Sequence, residues 1–449
     1  MSVTRRSVLG AGLAAAAAGL TGCGPSADPA VWADGTSATP AGTPAAGAGA
    51  GPAGVTASPS PTAGGSVTAA GAAPYVAKLT STLQRFLKPT TENPKHPTYA
   101  GAVALVMVGG KVTAQVAVGH ALRYGAGPVE LPAAKRVAMR PDSVFDLASL
   151  TKVYTAILLL QQVDKGRVDL SAPVVSYLPE FTGTGKDKIT VRQLLTHTSG
   201  LPVGAKVAGL PDLAAKRKAV LSTPLISGAT PGTVFRYSSV GLMVAAMLVE
   251  KITGSTLDKA LKTGIAGPLG LRDTGFKPLT WMSKADQAAR LVATDARSSR
   301  GLLRGVVHDD VANQMGGVAG SAGIFGTAAD VAAIGQMLLS GGKGILSASL
   351  VKTMLTNANK GLPAIDPERP GRPSDHGLGV VLRQPWFMGK LSTAATYGHT
   401  GFTGTSLLVE PRRKLVLALL TNRAHPNWSW ANPDPMRAVI SNLLADALP

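Results

Sequence analysis

Apolar and polar positions along the chain alternate between two periods. "PYVAKLTSTLQRFLK" (74–88) spaces its apolar residues as one face of a helix. "GAVALVMVGGKVTAQVAVG" (101–119) is two β-rich runs around Gly109-Gly110, which predicts a hairpin. From Ser149, "SLTKVYTAILLLQQ" opens on hydroxyls and becomes a long apolar run, which predicts a helix whose polar start lies at the edge of the core. Between about 165 and 345, turns alternate with helical segments such as 240–252 and 328–339. "TSLLVEP" and "KLVLALLTN" (405–411 and 414–422) read as paired strands around Pro411-Arg412-Arg413, and "PMRAVISNLLADAL" closes as a helix. Strand pairs and a helix near both ends, with a helical middle, predict an α/β (α+β) fold. One antiparallel sheet, built from both chain ends and flanked by helices, carries an inserted, mostly helical subdomain. No repeat period is visible.

Composition separates this region from what precedes it. Residues 1–22 read as a signal peptide: Arg5 and Arg6 precede the Ala-rich stretch Leu9 to Leu20, too short for a comfortable membrane span. The paired arginines resemble a twin-arginine export signal, and "LTGC" resembles a lipobox with Cys23 as the acylated residue. Residues 23–73 are dominated by Ala, Gly, Pro, Ser and Thr, a composition that cannot bury enough surface to fold and predicts a tether. The folded domain is expected over 74–449. The expected product is an exported protein, anchored by lipid to the outer face of the bacterial cell membrane. Cys23 is the sole cysteine, so no disulfide can form within the chain.

The formal net charge of +19 raises nucleic acid as a partner. Only 4% of residues are aromatic, no basic run stands out, and the leader directs export, so nucleic acid is not expected. Attraction to anionic headgroups or wall polymers and a generally basic surface remain equal alternatives.

Candidate chemistry narrows by elimination. The chain has no H-E-x-x-H, no phosphate-binding G-K-[ST] and no G-x-S-x-G elbow. Its seven histidines show no metal-ligand spacing, so no metal and no cofactor are expected. A serine or carboxylate mechanism remains. S-x-x-K occurs three times, at Ser149-Lys152, Ser340-Lys343 and Ser349-Lys352. The second lies among glycines after a helix, and the third on an amphipathic helix with its lysine in solvent. Ser149 differs because it starts an apolar helix, where residues i and i+3 share a face and the lysine can reach the hydroxyl. His197 is expected to make a structural turn bond and His308-Asp309 to be candidates for the cleft. Arg423 is expected to lie at the surface, with a replacement cation for a carboxylate as the alternative reading. The glycine-dense 316–326 is expected to let backbone pass close to a neighbour or substrate.

Six stretches give a resemblance. "FDLASLTKVYTAILLLQQVDKGRVDLSAPVVSYLPEF", "ITVRQLLTHTSGLP", "FRYSSVGLMVAAMLVEKITG", "PLGLRDTGF", "AGIFGTAADVAAIGQMLLSGG" and "YGHTGFTGTSLLVEP" stand in the order of the class C β-lactamase-like serine hydrolases. The chain resembles that family from about residue 100 to 445. The resemblance implies Ser149 as nucleophile, Lys152 and Tyr237 as its proton partners, and His399 at the third catalytic element. It also implies Ser239, Thr400 and Gly401 as substrate-binding residues, and an oxyanion hole from the backbone N–H groups of Ser149 and Phe402. A literal "KTG" at Lys262 to Gly264 lies too soon after Tyr237, in a helix-like stretch, to be that element.

Two departures shape the expected activity. Ser239 stands where the family has Asn, and His399 where it has Lys. A histidine is largely uncharged near neutral pH, which weakens the cation that faces a substrate carboxylate. The resemblance therefore implies an esterase or D-Ala-D-Ala peptidase-like serine hydrolase working through an acyl-enzyme, with weak or absent β-lactamase activity. Its expected substrate is a small molecule or cell-wall peptide. The alternative is a non-catalytic or penicillin-binding module that holds cell-wall peptide at the cell surface. Oligomeric state is left open.

Overall fold

The computed structural model describes residues 73–449. The signal peptide, Cys23 and nearly all of the tether lie outside the described residues. The hairpin predicted at Gly109-Gly110 is present, joining β1 (Gly101–Val108) to β2 (Lys111–Leu122), with both glycines at positive φ. Such a two-residue turn needs φ > 0 at both positions, which glycine adopts without a Cβ clash. Short strands of two or three residues follow at β3 (Val137–Ala138) and β4 (Phe145–Asp146), then β5 (Gly275–Phe276) and β6 (Ile324–Gly326). The chain returns to the main sheet in β7 (Val381–Leu382), β8 (Tyr397–Thr400), β9 (Ser406–Glu410) and β10 (Leu415–Thr421).

The main sheet runs β7-β8-β9-β10-β1-β2-β3, antiparallel throughout. β1 pairs with β10 from Ala102↔Thr421 to Val108↔Leu415, so the two ends of the domain meet at the sheet centre. This is the sheet built from both chain ends that the sequence pattern predicts. β4, β6 and β5 form a separate three-stranded sheet in that order.

Both faces of the sheet are covered, which explains why β1 is an unbroken apolar run rather than an alternating one. Ala102, Ala104 and Val106 face a core shared with helices α1 (Val76–Arg85) and α5 (Asp434–Ala447), through Leu79, Leu83, Met436 and Ile440. Val103 and Leu105 point the other way, into a larger core with α2 (Thr151–Asp164), α3 (Ser239–Thr253) and α4 (Ala328–Leu339). On α4, Gly335 lets the helix lie close on the sheet. A Cβ there would stand 2.7 Å from Val416 Cγ1 and 2.9 Å from Leu407 Cδ1.

The structure corrects one local expectation. The apolar helix begins at Thr151, and Ser149 lies one turn earlier in a tight 3-10 segment, Ala148–Leu150. The cause is Ala148, held at φ +47° with its N–H donating to Asp146 Oδ1 at 2.9 Å. A non-glycine residue in that region costs about 1–2 kcal/mol, which the surrounding contacts must offset. Lys152 is consequently not at the edge of the core; it is 1% exposed.

Leu83, fully buried between α1 and the sheet, sets a stability test. Leu83→Ala is expected to cost about 2–5 kcal/mol in denaturant unfolding. Leu213→Ala, at a solvent-exposed position, should cost less than about 0.5 kcal/mol.

Candidate active site

The short turn at Ala148 projects Ser149 towards three elements that are distant in sequence. Lys152 Nζ donates to Ser149 Oγ at 3.0 Å and to the Ser321 carbonyl at 2.9 Å. Tyr237 OH donates to the same Oγ at 2.8 Å, and Lys152 Nζ stands 4.9 Å from the centre of the Tyr237 ring. Serine, lysine and tyrosine therefore form one hydrogen-bonded group, with the amine desolvated.

The Ser321 carbonyl reaches Lys152 because of the glycine-rich 316–326 segment. Gly320 passes against α3, where a Cβ would fall 2.5 Å from Ala246 Cβ and closer still to the Leu242 carbonyl. Its own carbonyl accepts from Thr155 Oγ1 at 2.8 Å. The close neighbour expected for this segment is thus the α2–α3 pair.

Tyr237 is held in place by His197. The Arg236 N–H donates to the His197 carbonyl at 2.8 Å, and the Ser238 N–H to His197 Nδ1 at 3.1 Å, so the residues on both sides of Tyr237 are tied to one histidine. The His197 backbone is left-handed, at φ +57°. Ser238 accepts from the Gly241 N–H at 3.0 Å and caps α3, leaving Ser239 as the first helical residue, buried.

The third element arrives on β8 and the turn that follows. Gly401 is required there, since a Cβ would lie 2.5 Å from the Leu147 carbonyl and collide with Thr405 Oγ1. Thr403 Oγ1 donates to the Asp146 carbonyl at 2.8 Å and Thr405 Oγ1 to the Leu147 carbonyl at 3.0 Å, locking this turn onto the one bearing Ser149. Phe402, between them, is 41% exposed, with its ring beside His308 and Trp428 at 5.3 and 5.7 Å between centroids. Thr400 is partly buried at the end of β8, and its carbonyl lies 2.8 Å from His399 Nδ1. That contact places the proton on Nδ1 and leaves Nε2 a lone pair, which is buried without a partner among the described residues. Burial, followed by the Lys152 charge, holds the His399 pKa well below its ordinary value. His399 is therefore a neutral imidazole near neutral pH.

Other candidates fall elsewhere. Lys262 and Thr263 are exposed, and Gly264 binds Gln161 at the far end of α2, about 13 Å along the helix from Lys152. Lys352 is exposed on its helix, and Ser340 and Lys343 occupy the loop after α4. His308 lies behind Phe402; its N–H donates to Asp146 Oδ2 at 2.7 Å and its Nε2 meets Asp295 at 3.1 Å. Arg423 is not a simple surface residue: its guanidinium stacks on Phe402 at 4.4 Å.

Three residues that sequence reasoning missed also shape the site. Asp146 spans Ala148 and His308, and burial raises its carboxyl pKa to about 6. Arg437, buried on α5, donates from Nη2 to both the Gly401 and Thr405 carbonyls at 2.9 Å and braces the Phe402 turn. His376 packs edge-on to His197 at 4.9 Å. Asp146 sits beside the serine motif and was open to suspicion; nothing in the local sequence marks Arg437 or His376.

Residues 79–440 match the model of the family described as "Beta-lactamase". The chain belongs to the beta-lactamase family. It is 31% identical over 360 residues to "N-acetylmuramyl-L-alanine amidase" of Bacillus subtilis (strain 168), covering 73% of this chain and 78% of that protein. It is 30% identical over 366 residues to "Putative D-alanyl-D-alanine carboxypeptidase" of Salmonella agona (strain SL483), covering 73% and 79%. The fold matches the crystal structure of a penicillin-binding protein homolog from Caulobacter crescentus with a TM-score of 0.60 at 20% identity, over 85% of this chain and 100% of that one.

The buried histidines of this family member give its stability a defined pH dependence. Burial lowers the folded-state pKa of His376 and of His425 to about 3. The unfolded chain takes up a proton near pH 6.5 that the folded one does not, so their contribution is complete above that pH and is lost as pH falls below it. From pH 7 to 5 each should remove about 2 kcal/mol. His376→Gln should lower the proton uptake on unfolding by about one, measured as the slope of unfolding free energy against pH.

Proposed function

We propose that Ser149 is the nucleophile of this serine hydrolase and forms an acyl-enzyme with an ester or amide substrate. The observation that carries the reading is the shared hydrogen bonding of Ser149 Oγ, to Lys152 Nζ at 3.0 Å and Tyr237 OH at 2.8 Å. Lys152 and Tyr237 take the serine proton as Oγ bonds to the carbonyl carbon. Tyr237 then returns a proton to the leaving group, and water releases the acyl chain. The N–H groups of Ser149 and Phe402 are assigned to the developing oxyanion. Locking of the Phe402 turn onto residues 146–147 supports this assignment, because such donors act only when their geometry is fixed in advance.

The substrate class is an ester or the amide bond of cell-wall peptide. The two bacterial relatives bear the names of an amidase and a carboxypeptidase, both amide-cleaving. A neutral, buried His399 gives no cation to a carboxylate at its position, which supports weak or absent β-lactamase activity. Ser149→Ala should lower turnover of an activated ester by about 10⁴-fold or more, and Tyr237→Phe by about 10²–10⁴-fold, with unchanged circular dichroism. Intact mass after incubation with a fluorophosphonate should show one adduct on Ser149. A wild-type protein that forms no adduct and turns over no ester favours a binding module in the same cleft.

Export and anchoring through an acylated Cys23 complete the proposal, supported by the paired arginines and "LTGC". Cys23→Ala should abolish labelling by a radioactive fatty acid and move the protein from the membrane fraction to the soluble one.

A further inference from the structure

The guanidinium groups behind the Phe402 turn are unequally matched by carboxylates. Arg437 Nη1 binds Asp434 Oδ1 at 2.8 Å, and Arg369 Nε binds Asp434 Oδ2 at 2.9 Å. Arg372 is paired with Asp366 at 2.8 Å, and Arg369 also reaches Glu368 at 3.1 Å. Arg423 shares this neighbourhood and feels the charges of Arg437, Asp434, Glu368 and Arg369, yet has no carboxylate within ion-pair distance among the described residues. Its known contacts are a bond from Nη1 to the Trp428 carbonyl and the face of Phe402. Nε is buried and unpartnered among the described residues.

This cation lies two residues beyond β10, and its stem packs against the Phe402 turn. A Cβ on Gly404 would lie 2.9 Å from Arg423 Cγ. The ring on which it stacks is among the most exposed large apolar side chains and belongs to the residue whose N–H is assigned to the oxyanion. The other arginine at this edge, Arg297, is neutralised by Asp295 at 2.8 Å. A partly buried guanidinium without an acidic partner is costly, and an anion supplied from outside removes that cost. Burial, then the charge of Arg437, pulls its pKa down to about 9, as expected of a cation left without a counter-charge.

We propose that Arg423 and the Phe402 ring form a subsite for a substrate carboxylate. The enzyme would then prefer open-chain esters or amides that carry a negative charge on the Phe402 side of the scissile carbonyl. The anchor lies beyond the end of β10 rather than on β8, which carries His399. With Nη1 given to the Trp428 carbonyl and Nε buried, the guanidinium still keeps donors and charge to offer a carboxylate. This inference rests on Ser149 being the nucleophile.

The test uses two matched pairs of activated esters, neutral and carboxylate-bearing, with the charge on the acyl side in one pair and on the leaving group in the other. The readout is the ratio of kcat/KM for the charged ester to that for the neutral one, which cancels general damage to the site. In the wild type the ratio should exceed about tenfold in one pair. Arg423→Gln should lower it by about 10–100-fold, the effect of a hydrogen bond to a charged group, and Arg423→Lys should restore part of it. A wild-type enzyme that prefers the neutral ester in both pairs overturns the proposal whether or not the variants fold. An unchanged ratio in a folded Arg423→Gln does the same. Absence of turnover of all four esters, together with no fluorophosphonate adduct, overturns the assignment of Ser149 and this subsite with it. Normal turnover without charge preference overturns the subsite alone.

Discussion

The site depends on the contact between two turns separated by about 250 positions in sequence. Thr403 and Thr405 hydroxyls donate to the carbonyls of Asp146 and Leu147, and the missing Cβ of Gly401 lets the backbones approach that far. Each turn carries strain or exposure that it could not hold alone. Ala148 is left-handed, and Phe402 is 41% exposed. Arg437 supplies the brace from behind with two charge-assisted bonds to the Phe402 turn. Pairing of β1 with β10 makes this contact possible, because it brings both ends of the domain to the sheet centre.

Behind Ser149 the polar groups are arranged by backbone rather than by charge. Lys152 is held by a serine hydroxyl and a carbonyl, with no carboxylate paired to it among the described residues. Tyr237 is positioned through the His197 carbonyl and ring, each taking an N–H from a neighbour of the tyrosine. His399 leaves a buried lone pair on Nε2. Burial holds the pKa values of His197 and His399 well below the ordinary value, so these imidazoles add no charge around Ser149.

Much of the fold was legible in the sequence because hydrophobic periodicity reports burial directly. The Gly109-Gly110 hairpin, the 328–339 helix and the closing helix fall where the pattern puts them. The same reasoning misjudged residues 148–152. An apolar run reads as one helix from Ser149, whereas the Asp146 side chain and a left-handed Ala148 insert a 3-10 turn first. For Arg423 the sequence left a surface role and a cation for a carboxylate both open. A charged residue just after a strand looks solvated, and only the fold shows its guanidinium stacked on Phe402.

By itself, the sequence determined the fold class, the family resemblance and the residue types available for chemistry, because these follow from periodicity and from motifs local in the chain. Tertiary structure alone decided which residues meet. It brought the Ser321 carbonyl to Lys152, set His197 behind Tyr237, placed Arg437 against the Phe402 turn and, among the described residues, left Arg423 without an acid. The physical reason is that hydrogen bonds and charge balance depend on distances of about 3 Å, fixed here by the packing of segments hundreds of residues apart.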